Sequence, residues 1–120
     1  MIPISDADFD RAVAAALRAI PGEFRRYLDN VVIEVHAAPG ADLDVPGDTL
    51  GLYIGVPLEE KADPGVSVSL PDRVILFRDN LCALCASREE LIDEIRITLL
   101  HEIGHHFGLD EDQLAELGYD

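Results

Sequence analysis

His101-Glu102-Ile103-Gly104-His105-His106-Phe107-Gly108-Leu109-Asp110-Glu111 is the stretch that decides how this chain is read. A helix turns about 100° per residue, so His101 and His105 stand roughly 40° apart on successive turns and both imidazoles can reach one ion. Glu102 projects to one side of that clamp, where its carboxylate can deprotonate a water activated by the ion without itself occupying the ion. Gly108 can end the helix in a left-handed turn that a residue with a Cβ resists, bending the chain so that a side chain three positions on points back at the ion. Glu111 stands there; a slip of one residue in the turn would exchange it for Asp110 or Asp112. A metal clamp with its own base has the parts of a hydrolase.

The competing account is a core helix that happens to contain two histidines. Leu91, Ile92, Ile95, Ile97, Leu99, Leu100 and Ile103 cover most of the circumference, and a helix apolar all round belongs in the interior. Unpaired imidazoles buried there would each cost on the order of a few kcal/mol, whereas coordination satisfies one nitrogen and leaves the other for a hydrogen-bond acceptor. The metal reading is therefore the stronger. Ser87 with Glu90 forms a capping box that starts this helix, which runs to about Phe107. Glu94, Thr98, His101 and His105 fall at three- and four-residue steps, a polar stripe expected to face a cleft. Gly104 beside the ligands is read either as a close approach of helix to sheet or as plain packing.

Upstream, Arg73-Val74-Ile75-Leu76-Phe77 is apolar enough to be a central strand, and Asp79 begins a turn into the segment carrying Cys82 and Cys85. That C-x-x-C has no second pair and no proline or glycine inside it, so it reads as small apolar packing in a short helical turn rather than a redox or zinc-ribbon motif. At the other end, Ser5 and Asp8 cap a first helix whose Phe9, Ala12, Val13, Ala16, Leu17 and Ile20 recur at helical spacing. Pro21-Gly22 interrupts it, and Phe24, Tyr27 and Leu28 predict one or two further turns. Val31 to Val35 is a strand with Val31, Ile33 and Val35 on one face and Glu34 and His36 on the other, which leaves His36 a solvated residue rather than a ligand. Leu50 to Val56 is a second strand, Val66 to Leu70 a short strand or lead-in, and residues 37–48 and 59–65 are loops.

Length and charge narrow the class. The 120 residues form a single domain, 1–120, with 48% hydrophobic residues available for its core. Asp and Glu outnumber Lys and Arg by 24 to 9, a net charge of −15 that repels phosphate backbones and anionic lipid. Nucleic acid and membranes are thereby disfavoured as partners. The same acidity would suit basic peptides, although a solvated surface explains it more simply. No basic-then-apolar leader opens the chain and no segment reaches the ~18 apolar residues of a membrane span, so a cytoplasmic location is expected.

The run Arg96-Ile97-Thr98-Leu99-Leu100 into His101-Glu102-Ile103-Gly104-His105-His106-Phe107-Gly108 resembles the small zincin-like metallopeptidase family of bacteria, proteins reduced to little more than the zincin core. Leu50-Gly51-Leu52-Tyr53, Gly55-Val56-Pro57-Leu58 and Pro71 to Arg78 are similar to segments preceding the active helix in that family. The resemblance implies an α/β (α+β) fold, a small mixed sheet packed against an N-terminal helix and a buried active-site helix. It also implies a Zn2+ ion held by His101, His105 and an acidic third ligand at the Glu111 position, with Glu102 as base. In the family that acid is usually an aspartate; here Asp110 and Asp112 flank the position. Only fifteen residues follow His105, too few for a third ligand on a separate downstream helix, so a metzincin-like turn fits better. The only methionine is Met1, so the hydrophobic floor that metzincins place under their metal must be built otherwise or be missing.

The expected activity is hydrolysis of a peptide or protein substrate, with a strand such as Leu52 to Ile54 holding the peptide by main-chain pairing. His106 and Tyr119 could act as oxyanion donors or equally as packing and surface residues. The rival function is a catalytically weak or inactive zincin-fold module that binds metal or peptide. Glu102 speaks against it, because a purely structural site needs no base.

Overall fold

The structure, a computed structural model, describes residues 2–55, 71–108 and 112. Helix α1, Asp6–Arg18, starts where Ser5 Oγ accepts the Asp8 amide at 3.1 Å, and Phe9, Ala12, Val13 and Ala16 are its buried face. The cap and the apolar spacing are those expected from the sequence. Pro21 then opens a single turn, α2, Gly22–Arg25, followed by a 3-10 turn over Arg26–Leu28. The strands are β1, Val31–His36, β2, Gly51–Ile54, and β3, Asp72–Phe77. Where a turn is expected at Asp79, the chain leaves β3 directly into helix α3, Arg78–Leu84. The long helix α4, Arg88–His106, completes the described elements.

The sheet order is β1-β3-β2, with β3 parallel to β1 and antiparallel to β2. β3 is central, as its unbroken apolar run requires: Val74, Ile75, Leu76 and Phe77 are all buried, which takes cover on both faces. β1 alternates as expected, with Val31, Ile33 and Val35 against the core and Val32 exposed. His36 is half-exposed at its end, 3.3 Å from the Glu34 carboxylate that also takes Arg73. β2 is shorter than the expected 50–56 strand; Leu50 still accepts the Phe77 amide at 3.0 Å, and Val56 lies outside the described residues. The expected strand over 66–70 and the terminal helix after Gly108 also fall mainly outside them.

One core cluster joins the inner face of α1, Phe24, Val74 and Leu76 of β3, Leu81, Cys82 and Cys85, and Leu91, Ile95, Leu99, Leu100 and Ile103 of α4. Both cysteines are buried and unbridged, and burial pushes their thiols up, away from the reactive thiolate. They pack, as the sequence indicates. Among the described residues no helix is long and apolar enough to cross a membrane.

α4 is fixed at both ends by chemistry legible in the chain. Ser87 Oγ accepts the Glu90 amide at 3.2 Å, and the Glu90 carboxylate accepts the Ala86 amide at 2.9 Å, one residue before the cap. At the other end, after the C-cap Phe107, Gly108 has φ +82°, the left-handed conformation that ends the helix.

Candidate metal centre

α4 delivers the histidines to its own C-terminal end. The His101 and His105 rings lie 5.9 Å apart, centroid to centroid, and tilted by 43°. His101 is half-buried, with its Nε2 shielded from solvent, while His105 is exposed. Two adjacent imidazoles are a donor pair suited to zinc and similar divalent ions, and the negative end of the helix dipole favours a cation at this position. The residues present therefore fit such an ion as two of its ligands. Among the described residues no third histidine, cysteine or carboxylate joins them. The third donors considered from sequence, Glu111 and Asp110, lie outside the described residues, and Asp112 is exposed.

Glu102 is placed by the sheet. Its Oε1 accepts the backbone amide of Tyr53 at 3.2 Å, across 49 residues of sequence. Burial pushes its carboxyl above the ordinary carboxylate range, against the Tyr53 amide and the two imidazoles, which favour the ionised form. The bond also shows which side of β2 faces the site. Leu50 accepts from Phe77, so the polar groups of Leu50, Leu52 and Ile54 turn to β3 and those of Gly51 and Tyr53 turn away. Among the described residues β2 pairs only with β3, so this outer side is a sheet edge beside the base.

A cavity of about 340 Å³ opens between β2 and α4, lined by Leu50, Gly51, Glu94, Ile97, Thr98, His101 and Glu102. Three residues of the polar stripe, Glu94, Thr98 and His101, thus line it together with Glu102, and His105 continues the stripe onto the exposed end of the helix. The tight crossing of helix and sheet is at Gly51. A Cβ there would stand 2.7 Å from Thr98 Cγ2, 3.3 Å from the Ile75 carbonyl oxygen and 3.7 Å from Glu102 Cγ. Gly104 is buried as well. A glycine inside an apolar strand is the signal that could have singled out Gly51. Gly51→Ala is expected to lower stability by about 1–3 kcal/mol, the usual cost of forcing an extra methyl into a packed site. Urea unfolding of the variant would read it; an unchanged or raised midpoint would show that Thr98 yields without cost.

His106 faces away from the histidine pair, towards the sheet. It stacks on Tyr53, centroids 3.9 Å apart and planes 15° apart, and its Nε2 is 3.8 Å from Asp72 Oδ2. Tyr53 in turn donates its hydroxyl to Asp72 at 2.6 Å, and its phenol is pushed up by burial and by that carboxylate. Tyr53 shares the α4-facing side of β2 with Gly51, so this cluster braces the strand against the end of α4 and engages His106 in packing. Asp72 was not singled out in the sequence, because its partners lie 19 and 34 residues away. Tyr119 lies outside the described residues.

A family model for zincin-like metallopeptidases matches residues 28–119, most of the chain, and the protein belongs to that family. Its structure is similar to that of a conserved hypothetical protein from T. thermophilus, with a TM-score of 0.53 and 21% sequence identity over 94% of this chain and 99% of the other. At that identity the likeness bears on the fold alone. No curated protein matches.

Proposed function

We propose that this protein is a zinc-dependent peptidase that hydrolyses peptide bonds with Glu102 as general base. The observation that carries the reading is the place of Glu102: a half-buried carboxylate beside the His101–His105 pair, at the mouth of a cavity and against the outer edge of β2. His101 and His105 would hold the ion, with Glu111 ranked first as third ligand and Asp110 or Asp112 behind it. A bound zinc ion supplies Lewis acidity, polarising the scissile carbonyl and making water acidic enough to give up its proton near neutral pH. Glu102 takes that proton as the water oxygen adds to the carbonyl carbon. It then delivers the proton to the amide nitrogen, so the C–N bond breaks to a carboxylic acid and an amine. The Tyr53 amide holds one oxygen of Glu102 and so orients the other. The carbonyls of Gly51 and Tyr53, on the outer side of β2, are acceptors for the backbone amides of an extended peptide.

The substrate is a peptide or protein rather than nucleic acid, which the net charge of −15 repels, and the cytoplasm is the expected compartment. A second reading, a zincin-fold module that binds metal or peptide with little or no turnover, draws support from the same Tyr53 amide. It engages the base and removes one donor from the strand edge. The test is zinc analysis of the purified protein together with cleavage of a broad peptide library with and without added zinc. About one zinc per chain with zinc-dependent cleavage is expected. Full zinc loading without cleavage would transfer the site to the binding module.

A further inference from the structure

The cavity beside the base has a chemistry that the proposed reaction does not use. Its walls are the aliphatic side chains of Leu50 and Ile97, the backbone of Gly51 and Thr98, whose methyl faces Gly51. At one end stand His101 and Glu102; at the other stands Glu94, seven residues earlier on α4 and so two helical turns away, about 10 Å along the axis. Glu94 is half-buried, and no lysine, arginine or histidine among the described residues pairs with it. Its polar neighbours one turn away on the helix are Glu90, which is engaged with the Ala86 amide, and Thr98. A carboxylate at the far end of an aliphatic slot matches the two side chains that carry a cation on a long apolar stem. A short or acidic side chain entering beside the base would leave Glu94 uncompensated or repelled.

We propose that Glu94 makes this cavity a subsite for lysine or arginine, so that the protein selects peptides with a basic residue next to the bond presented to Glu102. Cleavage next to the basic residue rests on the peptidase reading, but the subsite itself requires only that a peptide bind.

The experiment uses the zinc-loaded full chain and matched peptides that differ at one position, with lysine, arginine, norleucine or glutamate there. Wild type should prefer the basic members over norleucine by about five- to tenfold in kcat/KM, the discrimination a partly desolvated ion pair supplies. Glu94→Gln should bring that ratio close to one, and Glu94→Lys should reverse it towards the glutamate peptide. The same peptides are titrated by fluorescence anisotropy against Glu102→Gln protein with and without Glu94→Gln, which reads selectivity where nothing is cut. Selective binding without cleavage would overturn the peptidase reading and uphold the subsite. Cleavage or binding with no basic preference, or with a preference that survives Glu94→Gln, would overturn the subsite alone. Failure to bind any peptide would overturn both.

Discussion

Zinc-loaded Glu102→Gln protein should keep its metal and lose peptide hydrolysis by about 10²- to 10⁴-fold, the range that general-base catalysis contributes. Glutamine preserves the length of the side chain and still offers a carbonyl oxygen to the Tyr53 amide, so the anchoring bond at 3.2 Å survives the change. What disappears is the capacity to accept a proton. Glu102 is not counted among the metal donors, so zinc content should match wild type by metal analysis, and far-ultraviolet circular dichroism should be unchanged. Equal cleavage by wild type and variant would remove Glu102 from the reaction or trace the activity to a contaminant. Loss of zinc along with activity would move Glu102 into the ligand set.

His101→Ala and His105→Ala should each lower zinc affinity by about two to three orders of magnitude. Structural zinc sites contribute roughly 10 kcal/mol or more over three or four donors, so each donor accounts for about 3 kcal/mol. His105 is the cleaner test of the two. It is exposed, so its removal leaves the core intact, whereas His101 shares its half-buried position with the cavity wall. Competition with a zinc chelator would measure both, and zinc affinity equal to wild type in either variant would sink the clamp. The third donor is resolved by the same titration. Glu111→Ala should weaken zinc by a similar factor, while Asp110→Ala and Asp112→Ala should leave it within severalfold of wild type. The opposite outcome would place the turn after Gly108 one residue out of register and leave the rest of the centre standing.

Much of the fold could be read locally because the signals that set it are local. Ser5 and Ser87 start their helices by bonding amides three residues away, and Gly108 ends α4 through its own backbone freedom. The alternation of Val31, Ile33 and Val35 and the unbroken run of Val74 to Phe77 distinguish an outer strand from a central one, because burial on one face or two leaves a different pattern in the residues themselves. The proximity of His101 and His105 is of the same kind, since one helical turn is a sequence distance before it is a spatial one.

The surroundings of that pair belong to the tertiary structure alone. Nothing near Glu102 in the chain indicates that the Tyr53 amide, 49 residues earlier, would hold its carboxylate, because a backbone donor is the same at every residue and only the placement of β2 selects this one. The Tyr53–Asp72–His106 brace and the close approach of Gly51 to Thr98 are likewise made by segments that meet only once the sheet is assembled on α4. Glu94 shows the division most sharply. Its spacing puts it in line with the histidines on a stripe expected to face a cleft, a property of the helix, but that Leu50 and Gly51 of the sheet form the facing wall depends on where β2 packs, and packing is decided by the whole core rather than by neighbours in sequence.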